Sequence, residues 1–172
     1  MLKKYYMPSA VTLLRLLAAP LFLYLFFDNQ YVLSLIILIL AGFTDLLDGY
    51  LARKMNATSN MGAYLDVTVD FILIMTCFMA FVIKGWYDPL ILLIIVAMFI
   101  LFVATSGLKK PVYDPVGKYL GAFLMGMIFL SIIFYWDSLW NVLSVLIALF
   151  SIISVGSRLF FFLKRVRRIF VT

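Results

Sequence analysis

Most polar residues of this chain lie in short clusters, and these clusters separate six long apolar runs. A helix needs roughly 20 consecutive apolar residues to cross the hydrocarbon core of a bilayer. Runs of about that length cover residues 7–27, 31–51, 61–83, 89–106, 115–136 and 139–163. The strands of a membrane β-barrel are shorter and alternate apolar with polar residues, which these runs do not. The pattern therefore predicts an all-α integral membrane protein with six transmembrane helices.

The composition agrees with a lipid environment and limits the available chemistry. Apolar residues make up 66% of the 172 residues and charged residues 13%, whereas a soluble domain has about half and about a quarter. The chain has no His, and its one Cys is Cys77, which excludes Ser–His and Cys–His nucleophiles, imidazole zinc sites and an internal disulfide. Because the connections between runs are short, residues 1–172 are expected to form a single membrane domain.

The distribution of basic residues predicts the orientation in the membrane. They cluster at both termini and in alternate loops, as Lys3, Lys4, Arg53, Lys54, Lys109, Lys110, Lys118, Lys164, Arg165, Arg167 and Arg168. The opposite loops hold only Lys84. By the positive-inside rule, both termini of this multi-pass protein are expected in the cytoplasm, within the cell membrane. The net charge of +6 then fits attraction to anionic lipids, and no nucleic-acid partner is expected.

Two aromatic segments are expected at the membrane surfaces. The basic and aromatic residues 1–6 are predicted to lie along the cytoplasmic interface as a short N-terminal segment, with a frayed terminus as the alternative. At the opposite boundary, an aromatic belt is predicted from Trp86, Tyr87, Trp136 and Trp140.

All eight acidic residues are Asp, and four of them belong to the apolar runs. Asp45 and Asp48 are three residues apart at the end of the second run, and Asp66 and Asp70 are four apart within the third. Each pair therefore shares one face of its helix. Because only about nine residues join the two helices, they are expected to be antiparallel neighbours, and the four carboxylates can then converge near the cytoplasmic end. Ionisable groups in membrane spans are costly and are usually functional.

Four carboxylates in a site of low dielectric constant would repel one another, so they would take up protons or bind cations. Oxygen ligands without His or Cys favour Mg²⁺ or Mn²⁺, with Ca²⁺ as a further option. Four Asp suffice for two ions, the arrangement that clamps the attacking and leaving oxygens in phosphoryl transfer. The Asp quartet therefore predicts a site for two divalent cations.

The residues between the Asp pairs extend this prediction. The segment reads Asp45-x₂-Asp48-Gly49-x₂-Ala52-Arg53-x₈-Gly62-x₃-Asp66-x₃-Asp70. The small Gly49, Ala52 and Gly62 leave space for a base or a pyrophosphate near the backbone. Arg53 offers a cation for phosphate oxygens. The alternative is that the small residues only allow close helix packing and that Arg53 only marks the inner loop. The functional interpretation is metal-assisted transfer at a diphosphate ester.

This segment resembles the signature of the CDP-alcohol phosphotransferase family, D-x₂-D-G-x₂-A-R-x₈-G-x₃-D-x₃-D, at all eight specified positions. The pattern Pro8-Ser9-x₂-Thr12-x₂-Arg15-x₄-Pro20 is similar to the first helix of that family, where Asn often stands at the position of Ser9. Six spans with cytoplasmic termini are also similar to the membrane domain of the family.

The resemblance implies a transferase of phospholipid biosynthesis. Such enzymes move a substituted phosphate from a CDP-linked lipid, CDP-diacylglycerol or an ether-lipid analogue, to a small alcohol acceptor and release CMP. By correspondence, the metal ligands for two Mg²⁺ or Mn²⁺ ions are Asp45, Asp48, Asp66 and Asp70, with Asp70 also the catalytic base. The CDP and pyrophosphate pocket corresponds to Thr12, Asp48, Gly49, Ala52, Arg53 and Gly62. The resemblance further implies an active site facing the cytoplasm and a homodimer.

The acceptor alcohol is less well defined by the sequence. Lys118 and Arg158 are candidate ligands for the phosphate of a phosphorylated acceptor, such as glycerol phosphate or inositol phosphate, with Lys109 and Lys110 as additional cations. The alternatives are positive-inside anchoring for the lysines and snorkelling for Arg158. Arg15 has the same two interpretations as Arg158.

Two other kinds of protein fit parts of the pattern. A small divalent-cation or proton-coupled transporter would also use intramembrane Asp, although transporters usually carry internal repeats and sites near the midplane of the bilayer. A catalytically inactive member of the same fold is the other alternative. Gly117-x₃-Gly121 is interpreted as a helix-packing pattern, and Asp114 has no assigned role.

Overall fold

The computed structural model describes residues 3–54, 60–105 and 119–171, and the surroundings of the side chains for 15–44, 67–104, 119–161 and 163. The helices are α1 (Lys3–Phe27), α2 (Tyr31–Lys54), α3 (Asn60–Ile83), α4 (Leu90–Thr105), α5 (Leu120–Ile133) and α6 (Asp137–Val171). The described residues contain no strand, so the prediction of an all-α protein is confirmed.

Several helix ends differ from the predicted runs, and α2, for example, continues to Lys54 rather than ending at residue 51. Residues 3–6 belong to α1, which continues through Pro8 and Ser9, so the predicted N-terminal segment is part of the first helix. Its position at the membrane surface stays a prediction. α5 ends at Ile133 because Phe134 has an extended backbone conformation, three residues before the predicted end of the run. α6 starts with Asp137 in its first turn and continues to Val171. The basic residues after 163 extend it, since Lys and Arg favour helices and suit a C-terminus.

One helical segment among the described residues is long and apolar enough by itself to cross a membrane, namely Asp137–Phe161 with 25 residues. The other apolar segments in this part of the chain are shorter. They are Arg15–Phe27, Tyr31–Thr44, Val67–Ile83, Leu90–Ala104 and Leu120–Ile133. The number of membrane spans and the orientation of the termini therefore stay predictions.

The chain forms two compact units, Met1–Ile83 and Lys84–Thr172. In the first unit, α1 packs against both α2 and α3. The turn between α1 and α2 passes through Asn29, whose φ of 61° is left-handed, a conformation that Asn tolerates better than most residues. The ring of Phe26 on α1 contacts the ring of Phe81 on α3 at a centroid distance of 5.3 Å, which closes the apolar interior of this unit near the turn.

In the second unit, α6 packs against α4 and α5. Trp86 stacks on Trp140 with ring centroids 4.5 Å apart. The hydroxyls of Tyr87 and Ser131 are hydrogen-bonded at 2.6 Å, and the indole N–H of Trp140 donates to the Ser131 carbonyl at 3.3 Å. Burial raises the pKa of Tyr87 to about 12, although its hydrogen bond with Ser131 acts in the opposite direction.

The four residues of the predicted aromatic belt differ in burial, and their position at the membrane surface stays a prediction. Trp86, Tyr87 and Trp140 are buried, whereas Trp136 is 72% exposed. The short loops bring the large rings together at the ends of α5 and α6.

Candidate functional site

Two contacts between α1 and α3 show how these helices are aligned. The Nη1 atom of Arg15 lies 2.7 Å from Oδ1 of Asp70, and the rings of Phe26 and Phe81 are in contact. Both pairs have the same sequence separation, 70 − 15 = 55 and 81 − 26 = 55. The two contacts are about three helical turns apart along each helix. α1 and α3 therefore run parallel. Each residue of α1 lies at the same position along the helix axis as the residue 55 positions later in α3.

The turn between α1 and α2 gives a second alignment. α1 ends at Phe27 and α2 begins at Tyr31, and two helices joined by so short a loop are antiparallel. Asp45 lies 45 − 31 = 14 residues into α2, and Leu13 lies 27 − 13 = 14 residues before the end of α1. These two residues are therefore level. By the same count, Asp48 is level with Ala10.

These two alignments give each Asp of the motif a position along the axis of α1, and the four positions are close together. Asp66 is level with residue 66 − 55 = 11 and Asp70 with residue 70 − 55 = 15. The quartet therefore spans only the interval from residue 10 to residue 15 of α1, about 8 Å along the helix axis. Thr12 belongs to the same interval.

The predicted nucleotide-pocket residues follow the same helices toward one end. They are Gly49, Ala52 and Arg53 in the last turns of α2 and Gly62 in the first turn of α3. The side chains of Thr12, Asp45, Asp48, Ala52, Arg53 and Asp66 lie outside the described set. Convergence of the carboxylates therefore stays a prediction.

Within the first unit, α1 contacts both helices that carry the motif. In this part of the chain, the helix pairs in contact within the first unit are α1 with α2 and α1 with α3. Ala18 and Ala19 of α1 are buried, and such small side chains allow two helices to approach α1 closely. α1 is thus the element against which the motif helices are positioned.

Asp70 is the quartet member whose side chain is described, and it is bound to Arg15. The Arg15 side chain is 1% exposed, whereas that of Asp70 is 38% exposed. A guanidinium stays charged in proteins, and burying it is costly unless an anion compensates. Arg15 therefore does not snorkel to the surface, as one interpretation of the sequence held. This pair could not be predicted from the sequence, because spacing along single helices does not reveal the register between them.

The donor chemistry of the site suits hard divalent cations. Asp70 offers a partly exposed carboxylate, and three more Asp lie at its height along α1. Among the described side chains, no group of three or more Asp or Cys is close enough to hold a metal ion, but three members of the quartet fall outside that set. A cluster of carboxylate oxygens without nitrogen or sulfur donors is the kind of site that Mg²⁺ and Mn²⁺ prefer.

Arg158 lies in the second unit, on α6, and is buried at 5% exposure. Its Nη2 donates to the backbone carbonyl of Phe102 at 3.3 Å, and its guanidinium lies 4.6 Å from the centroid of the Phe102 ring. Snorkelling is therefore wrong for Arg158 too, because the side chain turns inward against α4. The other predicted acceptor residues, Lys118, Lys109 and Lys110, lie outside the described residues, as do Asp114 and Gly117.

Comparison with known proteins identifies the family. The family model described as CDP-alcohol phosphatidyltransferase matches residues 5–163, which is most of the chain. The chain therefore belongs to the CDP-alcohol phosphatidyltransferase family, and the resemblance carried by its motif is confirmed.

Curated relatives match mainly over a shorter stretch. The chain is 47% identical over 70 residues to a CDP-diacylglycerol–glycerol-3-phosphate 3-phosphatidyltransferase of Wigglesworthia glossinidia brevipalpis, covering 39% of this chain and 38% of that protein. It is 38% identical over 63 residues to a protein of the same name from Aquifex aeolicus, covering 37% and 35%. It is 44% identical over 71 residues to a cardiolipin synthase (CMP-forming)/mitochondrial hydrolase fusion protein of Schizosaccharomyces pombe, covering 41% and 12%. The chain thus spans well under two thirds of the length of these relatives.

Proposed function

We propose that this chain transfers a phosphatidyl group from a CDP-linked lipid, CDP-diacylglycerol or an ether-lipid analogue, to the hydroxyl group of an alcohol and releases CMP. The observation that carries the proposal is the complete eight-position motif, whose four Asp lie at one height beside α1. Family membership supports the same reaction class. Release of CMP from CDP-diacylglycerol by the purified full chain, with an alcohol acceptor present, is the experiment that tests it.

In this mechanism, Asp45, Asp48, Asp66 and Asp70 hold two divalent cations, Mg²⁺ or Mn²⁺, which supply positive charge to the diphosphate when bound. The carboxylate of Asp70 accepts the proton of the acceptor hydroxyl as a general base. The hydroxyl oxygen forms a new bond to the phosphorus that carries the lipid. The bond from that phosphorus to the CMP oxygen breaks, and CMP leaves with the electron pair. Arg53 and the space beside Gly49, Ala52 and Gly62 bind the nucleotide and its phosphates, with Thr12 and Asp48 contributing to the same pocket.

The proposal includes a membrane arrangement. Six spans with both termini in the cytoplasm agree with the distribution of Lys and Arg and place the motif close to the cytoplasmic surface. A shallow site suits this substrate, because a water-soluble nucleotide and a bilayer-held lipid tail must reach it together. We expect the protein to be a multi-pass enzyme of the cell membrane. A homodimer, implied by the resemblance, stays a prediction.

For the acceptor, we propose a phosphorylated polyol of the glycerol phosphate kind, with inositol phosphate as the other option. Two of the relatives above carry glycerol-3-phosphate in their names. Arg158 supports the same class, since a permanently charged side chain buried on an apolar helix is more often functional than structural. Together with Lys118, it would bind the acceptor phosphate.

Replacement of Arg158 by Met is expected to raise the KM for glycerol phosphate by at least about tenfold, because a charge-assisted hydrogen bond to phosphate is lost. The KM for CDP-diacylglycerol should change by less than about threefold. Steady-state kinetics with each substrate varied in turn measure both constants. Lys84→Met, which removes a cation from the loop after α3, is the matched control and should leave both unchanged. An unchanged KM for glycerol phosphate, together with a lower melting temperature, would limit Arg158 to its contact with α4.

A further inference from the structure

We infer that Arg15 is a positioning residue for the reaction: it holds the Asp70 carboxylate in the orientation in which that carboxylate takes the proton of the acceptor hydroxyl. The inference rests on the proposed function. It starts from the ion pair between α1 and α3, in which Arg15 Nη1 and Asp70 Oδ1 are 2.7 Å apart. This distance is typical of a strong charge-assisted hydrogen bond.

The two partners differ sharply in burial, and this difference assigns their roles. Arg15 is closed off inside the first unit, at 1% exposure, while 38% of the Asp70 side chain stays accessible. A substrate or cation can therefore reach Asp70 directly but not Arg15. Arg15 therefore acts on the reaction through the groups that it contacts, and the Asp70 carboxylate is one that a substrate can reach.

The hydrogen bond from Arg15 also holds the Asp70 carboxylate in one orientation, which the Asp70 side chain would not keep by itself. The Asp side chain has two rotatable bonds, and a partly exposed one would sample several rotamers. A hydrogen bond that holds Oδ1 fixes both torsions and thereby the position of Oδ2. A misplacement of about 1 Å at a reacting group can cost on the order of a hundredfold in rate.

Helix packing alone does not explain why the interface between α1 and α3 contains the charged pair Arg15–Asp70. Three turns along, the same two helices meet through the rings of Phe26 and Phe81, without any charge. Burying a guanidinium costs several kcal/mol before its partner compensates, and apolar replacements of buried ion pairs are often as stable. The pair therefore stands where Asp70 needs to be held, at the height of the motif.

The test uses the full chain purified in detergent and compares Arg15→Met, Arg15→Lys and Phe26→Leu. Arg15→Met is expected to lower kcat about a hundredfold, with each KM within about threefold of the wild type. Arg15→Lys keeps a charged donor without the planar fork of the guanidinium and should recover at least tenfold of that loss. Phe26→Leu weakens the same helix interface away from Asp70, so it should lower the melting temperature and leave kcat unchanged.

A second readout is independent of turnover. Binding of Mn²⁺, measured by electron paramagnetic resonance, should be unchanged or tighter in Arg15→Met, because removing a positive charge lowers the repulsion of a cation. If Arg15→Met does not fold, Arg15→Gln, which keeps an N–H donor, replaces it and should lose at least about tenfold in kcat.

Three results would overturn the inference. A kcat of Arg15→Met within threefold of the wild type is the first. The second is an equal loss of kcat in Arg15→Met, Arg15→Lys and Phe26→Leu, which would mean that helix packing alone is at stake. Loss of Mn²⁺ binding together with kcat is the third, since it indicates a damaged fold. A wild-type protein that releases no CMP would refute the proposed function itself, and the role of Arg15 would fall with it.

Discussion

Replacement of Asp70 by Asn is expected to lower the rate of CMP release at least about a thousandfold, because two contributions are lost together. The amide of Asn does not accept a proton at neutral pH, so the general base disappears. Its oxygen is also a weaker ligand for Mg²⁺ or Mn²⁺ than a carboxylate. The two side chains have nearly the same shape, and the amide oxygen can still accept the hydrogen bond from Arg15. The measurement is kcat with CDP-diacylglycerol and glycerol phosphate.

The control for this variant is Asp28→Asn. Asp28 is an exposed acid in the α1–α2 turn of the same unit, where its carboxylate accepts a hydrogen bond from Gln30 at 2.7 Å. Its replacement should leave kcat within about twofold of the wild type. Because Asp70→Asn removes the charge of a carboxylate that buried Arg15 binds, the melting temperature of the variant should fall, and rates must be compared well below that temperature. A folded Asp70→Asn protein that keeps more than a tenth of the wild-type rate would show that Asp70 is not the base.

Removal of divalent cations is expected to lower the rate of CMP release about as much as Asp70→Asn does. Four carboxylates and a diphosphate repel one another unless cations lie between them, so exhaustive chelation should reduce CMP release at least about a thousandfold. Added Mg²⁺ or Mn²⁺ should restore at least half of the original rate. The measurement is the rate as a function of free metal concentration after chelation.

The stoichiometry of binding refines this result. A two-ion site predicts about two Mn²⁺ per chain by electron paramagnetic resonance, and Asp66→Asn should lower either the number or the affinity. Asp28→Asn again serves as the control, since it removes an acid outside the motif. Full activity after exhaustive chelation would contradict a metal-dependent reaction.

Much of the secondary structure could be predicted from the sequence, because polar clusters and turn residues mark the ends of long apolar runs. The Asp28–Gln30 turn and the break before Asp137 lie where such residues interrupt the pattern. The early end of α5 and the extension of α6 could not be predicted in the same way. The first depends on the local backbone at Phe134. The second depends on basic residues that are compatible with either a helix or a tail.

The candidate site was predictable where its residues are close in the sequence. The motif from Asp45 to Asp70 lies on two consecutive helices, so spacing alone placed each Asp pair on one face. The Arg15–Asp70 pair joins residues 55 positions apart, and only the register between α1 and α3 brings them together. The same limit applies to Trp86 and Trp140, whose stacking joins two segments that are distant in the sequence.

The acceptor site was the least predictable part. Arg158 lies on α6 and Lys118 in a different segment, so no fixed spacing connects them with the motif. The burial of Arg158 against Phe102 removes the snorkelling alternative. Family membership favours the transferase interpretation over a transporter that uses intramembrane Asp, while a catalytically inactive member of the family is distinguished only by an assay.

Transfer from a CDP-linked lipid to an alcohol is tested most directly by supplying CDP-diacylglycerol with a series of acceptor alcohols. The purified full chain is supplied with Mg²⁺ or Mn²⁺ and with glycerol phosphate, inositol phosphate or the corresponding unphosphorylated alcohols, and CMP and lipid products are measured by mass spectrometry. We expect CMP and one new phospholipid in equal amounts with a phosphorylated acceptor, and neither product from Asp70→Asn. A folded wild-type protein that releases no CMP with any acceptor, but carries divalent cations or protons across liposome membranes, would contradict the account.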